Sequence, residues 1–200
     1  MSRLAAPAEP FTRFGELLAE AKAVGRERLP EPTAFALATV NAGGQAAVRI
    51  VLLKDFDERG FVFYTNHESR KAGDIFDNPR VGMCFHWQPM ERQVRVEGIA
   101  EKVTDEEADA YFASRPRGSQ VGAWASLQSR PIATPGDLEA RVAEVEARYA
   151  GAEVPRPPHW SGFRIVPERV EFWHGQPSRL HVRQLFVRAG AGWRVETLYP

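Results

Sequence analysis

Between Thr33 and Val103 the chain reads as five β-prone runs, most of them joined by links too short to hold anything but a turn. "TAFALATV" and "AAVRIVLLKDF" flank "NAGGQ", and "DERG" turns the chain into "FVFYTN". "QPMER" joins "VGMCFHW" to "QVRVEGIAEKV", where Val94 and Val96 alternate with Arg95 and Glu97 as on a strand with one polar face. Such links favour antiparallel hairpins. The tail repeats the pattern: "FRIVPERVEFWHG", "LHVRQLFVR" and "GWRVETLY" are separated by "GQPSR" and "AGAG".

Helical spacing intrudes in three places. "PFTRFGELLAEAKAVG" carries Phe14, Leu17, Leu18 and Ala21 on one face, with Gly25 just past its end. "TDEEADAYFASRP" opens on an N-cap and an acidic first turn and stops at Pro116. "GDLEARVAEVEARYAG" places Leu138, Val142, Val145 and Tyr149 on a shared face. "SLQSRPIATPG" reads as connector and "EVPRPPHW" as a proline-stiffened loop. No repeat, low-complexity tract or linker divides the 200 residues. The expectation is one mainly-β domain over residues 1–200, an antiparallel barrel with helices packed outside, comprising an arm and first helix (1–29) and inserted helices (104–150).

Composition narrows the partners. Lys+Arg and Asp+Glu both total 26, so the formal net charge is zero, whereas nucleic-acid and membrane-surface binders carry a basic surplus. The expected partner is a small molecule. The only cysteine, Cys84, lies in the apolar run "VGMCF" and reads as a small buried hydrophobe. No run reaches the roughly 18 apolar residues of a membrane helix, and "MSRLAAPAEP" lacks the apolar region of a signal peptide, so the expected location is the cytoplasm.

The cations are the informative residues. "RIVLLK" places four apolar residues between Arg49 and Lys54, a run that predicts a strand covered on both faces with its charges at the ends. At a rise of about 3.3 Å per residue those ends lie roughly 16 Å apart, too far to share one phosphate. Snorkelling out of the core is the plain alternative. Against it, the chain has four lysines to 22 arginines, and Lys54 and Lys71 both fall beside other candidate ligand groups. In "NHESRKAGDI", Ser69 can cap a short helix whose positive end carries Arg70 and Lys71, either an anion site or an ordinary solvated helix start. "YFASRPRGS" sets Tyr111 and Arg115 four apart with Ser119 just beyond, and "EFWHGQPSRLHVR" combines Trp173, Arg179, His181 and Arg183, chemistry suited to stacking on a planar anion.

The order "RIVLLK", "FVFYTN", "SRKAGDI", "NPRV", "ERQVRVEG", "YFASRPRGSQVGAWAS", "QS", "SGFRI", "VEFW" and "RLHVR" resembles the pyridoxine (pyridoxamine) 5'-phosphate oxidase family from about the first helix to the last strand. The resemblance implies an FMN-binding split β-barrel and a homodimer with two flavin sites at its interface. The implied reaction oxidises the 4' carbon of pyridoxine or pyridoxamine 5'-phosphate to pyridoxal 5'-phosphate, with O2 leaving as peroxide. Residue by residue, it implies FMN contacts from Arg49, Ile50, Val51, Leu52, Leu53, Lys54, Tyr64, Thr65, Arg70, Lys71, Gln93, Gln128, Ser129, Trp173 and Arg183. Of these, Gln128, Ser129, Trp173 and Arg183 are expected from the opposite subunit. Lys54, Tyr111, Arg115 and Ser119 are expected on the substrate phosphate, and Arg179 and His181 over its ring as the catalytic pair. Arg49 is expected to face the flavin.

Three positions depart from the family pattern. Val182 stands where an acidic residue is frequent, Thr197 stands where the family often has arginine, and no segment with both arginine and tyrosine precedes Pro10. Two other readings stay open: a split-barrel oxidase of another ring, which the retained Lys54 argues against, and a non-catalytic binder of FMN or pyridoxal phosphate.

Overall fold

Every β-prone run becomes a strand in the computed structural model, which describes residues 3–6 and 8–200, and every strand pair is antiparallel. The strands are β1 (Arg3–Ala5), β2 (Ala34–Val40), β3 (Ala46–Leu52), β4 (Asp55–Asp57), β5 (Gly60–Asn66), β6 (Arg80–Trp87), β7 (Arg92–Lys102), β8 (Trp160–His174), β9 (Val182–Ala189) and β10 (Gly192–Leu198). The helices are α1 (Glu9–Ala23), α2 (Arg70–Asp77), α3 (Asp105–Ser114), α4 (Arg117–Ala125) and α5 (Pro135–Arg148). No helix among the described residues is long and apolar enough to cross a membrane.

The sheet runs β1-β10-β9-β8-β7-β6-β2-β3, and β8 is where it forks. Along one edge β8 keeps β7, while its other edge pairs with β5 from Trp160 to Ile165 and with β9 from Arg169 to His174. The handover coincides with a register shift after Glu97, where a Cβ on Gly98 would lie 2.2 Å from the Val166 carbonyl oxygen. Pro167, which has no N–H to give a ladder, sits opposite Gly98. Past β3 the Lys54 amide donates to the Val62 carbonyl at 2.9 Å, tying that edge back to β5 and rounding the sheet into a barrel.

Aromatic rings fill the barrel. Phe14 of α1 is fully buried, with ring centroids 4.9 Å from Phe56 and 5.0 Å from both Phe61 and Phe85. The predicted stripe of α1 is borne out: Phe14, Leu18 and Ala21 are buried, and Leu17 packs against them. A second cluster joins Phe112, Val121, Ala125, Val145 and Trp160 under the inserted helices.

Four expectations change. The strand expected over residues 46–56 splits into β3 and β4. It is not covered on both faces, since β3 is an edge strand whose Val48 and Ile50 are 69% and 65% exposed. Helix α4 was not expected, because Pro116 reads as a stop and Gly118 and Gly122 weaken the pattern; burial of Val121 and Ala125 against the helical cluster holds it instead. Cys84 is half-buried on β6, between Ala36 and Arg95 of the neighbouring strands.

Phe14→Ala should cost about 3–5 kcal/mol, the range for an aromatic deleted from a packed core, measured by urea unfolding at pH 7. A loss under about 1 kcal/mol would mean that the helix is not seated on the barrel core as described.

Candidate active site

A cavity of about 600 Å³ opens where β3, β5, the start of α2 and the ends of α3 and α4 converge. Its charged lining consists of Lys54, Lys71 and Arg115, with no Asp or Glu. Hydroxyls and amides from Tyr64, Thr65, Tyr111, Ser119 and Gln128 complete the polar wall, and Ile50, Val51 and Leu52 line it from β3. Residues expected on the cofactor and on the substrate phosphate therefore meet in one place. Cations with hydroxyl and amide neighbours and no carboxylate in the lining make this an anion site by charge and by donor chemistry.

Lys71 shows the effect. Its ammonium donates to Thr65 Oγ1 and Ser69 Oγ, each at 3.1 Å, and to Gln128 Oε1 at 3.2 Å, all neutral acceptors. Burial, and then the charge of Arg49, brings its pKa down to about 8. Ser69 occupies the N-cap position of α2 with extended backbone, yet its hydroxyl receives Lys71 instead of capping the helix. An anion bound here would replace the missing counter-charge.

Arg115 is the second such group. It stands at the C-cap of α3, its Nη1 is buried with no hydrogen-bond partner, and burial pushes its pKa down. Ser119 follows one turn into α4 and is exposed. Two half-buried cations without a counter-charge, one of them with an unpartnered donor, fit the two phosphates, flavin and substrate, that the family resemblance implies.

Other expected residues lie elsewhere. Arg49 does not line the cavity: its Nη1 donates to the Leu37 carbonyl at 3.0 Å and to Thr39 Oγ1 at 2.8 Å, and its Nη2 lies 3.5 Å from Asp74 of α2. Thr39 in turn donates to Asp74 at 2.6 Å, so the head of Arg49 is held by a buried triad, and its charge reaches the cavity through its effect on Lys71. Leu53 is in the barrel core, and Arg70 is exposed on α2 outside the lining. Gln128 stands beside Lys71 of its own chain, which corrects its expected origin in the opposite subunit; Ser129, with φ of 72°, lines a separate hollow between the 126–132 segment and α5.

Gln93, Trp173 and Arg183 form one cross-strand row on β7, β8 and β9. The ring of His181 lies 4.6 Å from that of Trp173, its Nδ1 accepts from the Gln176 amide at 3.2 Å, and Arg179 is exposed with φ of 62°. Arg183 is paired with Glu171 at 2.8 Å, so Glu171 supplies the acidic partner that Val182 does not. This row sits at the far end of β8 from the cavity: Trp160 lines the cavity, and Trp173 comes 13 residues later, roughly 40 Å along a strand at about 3.3 Å per residue. Trp160 itself, which the sequence leaves in a proline-stiffened loop, is the main wall residue the expectations lack; its place just ahead of "SGFRI" was the available signal.

Known proteins share this sequence and fold. The family model described as "Pyridoxamine 5'-phosphate oxidase" matches residues 21–174, and one described as "Pyridoxine 5'-phosphate oxidase C-terminal dimerisation region" matches residues 160–200. The chain is 60% identical over 200 residues to a pyridoxine/pyridoxamine 5'-phosphate oxidase of Myxococcus xanthus (strain DK1622), covering 100% of this chain and 96% of that one. It is 56% identical over 195 residues to the protein of the same name from Brucella canis, covering 96% and 95%. Among solved structures, PhzG from Burkholderia lata 383, in complex with tetrahydrophenazine-1-carboxylic acid, superposes with a TM-score of 0.89 at 31% identity over 96% of this chain and 92% of that one. A pyridoxamine 5'-phosphate oxidase-related, FMN binding protein from Nostoc punctiforme shares the fold with a TM-score of 0.73 at 20% identity, covering 92% and 96%. From the matched models, the full-length relatives and the cavity's residues together, this chain belongs to the pyridoxamine 5'-phosphate oxidase family.

Proposed function

We propose that the chain oxidises pyridoxine 5'-phosphate and pyridoxamine 5'-phosphate to pyridoxal 5'-phosphate with FMN as cofactor and O2 as the final acceptor, reduced to H2O2. The observation that carries this is the cavity whose three charged residues are all cations, with Lys54 among them. When bound, FMN supplies the acceptor for the hydride that leaves C4'. For the alcohol, two electrons and two protons leave the C4' carbinol overall, and O2 takes both pairs; for the amine the same loss leaves an imine, which water hydrolyses to the aldehyde with release of ammonia.

The chain's own residues bind and orient. Lys71, with Thr65 and Gln128 around it, receives the flavin phosphate, and Lys54, Tyr111, Arg115 and Ser119 receive the substrate phosphate, fixing C4' at the flavin. The cationic surroundings also favour a reduced, anionic flavin. Arg179 and His181 hold the substrate ring. On this reading they come from a second copy, with Gln93, Trp173 and Arg183 beside them; the matched dimerisation region supports a homodimer, and the placement of these residues toward the far end of β8 favours an interface position for the flavin.

Lys71 gives the FMN affinity a pH dependence. Bound phosphate stabilises the ammonium, so between about pH 7 and 8, where the phosphate is already largely dianionic and the free protein already carries the proton, affinity is nearly flat, whereas above about 8 each binding event must first protonate Lys71. FMN Kd, followed by fluorescence quenching, should rise by up to about tenfold per pH unit above that point, as one-proton linkage requires. Lys71→Met should bind FMN more weakly and lose this rise. A wild-type Kd constant from pH 7 to 9.5 would remove Lys71 from the phosphate site.

Charge-assisted hydrogen bonds contribute roughly 1.5–3 kcal/mol each, and about 1.4 kcal/mol is tenfold, so two bonds to phosphate make unphosphorylated pyridoxine worse in kcat/KM by about a hundredfold or more. Lys54→Ala and Arg115→Ala should each erase much of that preference, chiefly through KM. Peroxide release from the two substrates by one enzyme batch is the measurement. Discrimination below tenfold would dismiss the phosphate site, and FMN uptake without peroxide would make the protein a binder.

A further inference from the structure

Arginines that must hold still are ordinarily pinned by carboxylates, and this chain does so around the same helices. Arg164 donates to Asp57 and to Glu107, each at 2.9 Å, and Arg156 is held by Asp105 at 3.0 Å and Asp109 at 2.5 Å. Both have spent donors and charge on the fold. Among the described residues no carboxylate pairs with Arg115; its guanidinium carbon instead lies 4.6 Å from the centre of the Trp160 ring and 5.5 Å from that of Phe112.

We propose that Trp160 is a positioning residue for the substrate phosphate, its indole face fixing Arg115 in the cavity wall while leaving the guanidinium's charge and donors free for the ligand. The proposal rests on the oxidase reading above. A ring face attracts a cation through its quadrupole without accepting an N–H in the guanidinium plane, so it holds position and spends no donor, which a carboxylate cannot do.

The ring has the rigidity such a role needs. Trp160 is 6% exposed and is backed by Tyr64, whose ring lies 5.4 Å away and 5° from parallel. Tyr64 is stacked at 4.1 Å on Tyr111, another expected phosphate ligand, and its phenol donates to the Glu107 carbonyl at 3.3 Å. The stack is seated on Gly162, where a Cβ would come within 2.7 Å of the Tyr64 ring, so that glycine is required for the close approach. Gly162 and Tyr64 are register partners on β8 and β5, so the barrel itself sets the height of the platform. Tyr111 rests on the Tyr64 ring, whereas Arg115 rests on Trp160 itself.

The test compares Trp160→Leu, Trp160→Phe and Arg115→Ala, singly and combined, in the FMN-loaded protein. Trp160→Leu should raise KM for pyridoxine 5'-phosphate about tenfold with kcat within twofold, move KM for pyridoxine by less than twofold, and weaken inorganic phosphate binding measured by calorimetry by the same tenfold, about 1.4 kcal/mol. Trp160→Phe should fall between, since a phenyl face attracts a cation less than an indole. In the Arg115→Ala background either Trp160 substitution should add less than twofold, because the residue it positions is gone. Equal losses on the phosphorylated and unphosphorylated substrates, or effects that multiply with Arg115→Ala, would reduce Trp160 to core packing and overturn the proposal. If Trp160→Leu does not fold, the same cycle run with Trp160→Phe decides it. Because the phosphate titration needs no turnover, it judges Trp160 even if the wild type forms no peroxide, an outcome that would sink the oxidase reading by itself.

Discussion

Positive charge without a counter-charge is the constraint on which this molecule turns. Lys54, Lys71 and Arg115 share a cavity that no carboxylate lines, although the chain as a whole balances its charges. Lys54 is exposed, but keeping Lys71 and Arg115 half-buried without a counter-charge costs energy, visible in their lowered pKa values, and the fold holds these two with groups that carry no opposing charge. Neutral oxygens surround Lys71, and aromatic faces surround Arg115. Arg49 takes the opposite course, anchored on Thr39 and Asp74 just behind the wall. Carboxylates are abundant next door, so their exclusion from the cavity is a property of the site.

The second constraint is the length of β8. This strand carries Trp160 in the cavity wall at one end and Trp173 in the row with Gln93 and Arg183 at the other, 13 residues apart along the strand. On the proposal that both ends serve one site, two copies related by a twofold axis meet the requirement, with each copy's far end brought to the other's cavity. The edge strand β3 exposes Val48 and Ile50, the latter at the cavity rim with Val51 and Leu52, as apolar surface that the proposed contact could cover.

Much of this was legible in the sequence because strand alternation, hairpin links and the spacing of Phe14, Leu18 and Ala21 are local signals. The cationic motifs were legible too, as residue types. Legibility stopped where tertiary context decides. Local pattern cannot show that Ile50, Val51 and Leu52 lie on an edge strand, nor that Arg49 turns from the cavity toward Asp74, 25 residues on. Helix α4 contradicts its own propensities and exists because Val121 and Ala125 have a partner cluster. Trp160 follows a proline-rich loop, and only the pairing of β5 with β8 brings its ring beside Tyr64.

Subunit complementation tests most directly whether one site is built from two copies. Lys71→Met disables the cavity half and Arg179→Ala the far half, and each homodimer should be nearly inactive. Unfolding the two together and refolding them as a mixture makes about half of the dimers mixed by random pairing. Each mixed dimer carries one intact site and one doubly damaged site, so activity should return to about a quarter of the wild-type value. A mixture that stays as inactive as its parents, with mixed dimers confirmed by mass spectrometry, would show that each copy builds its site alone.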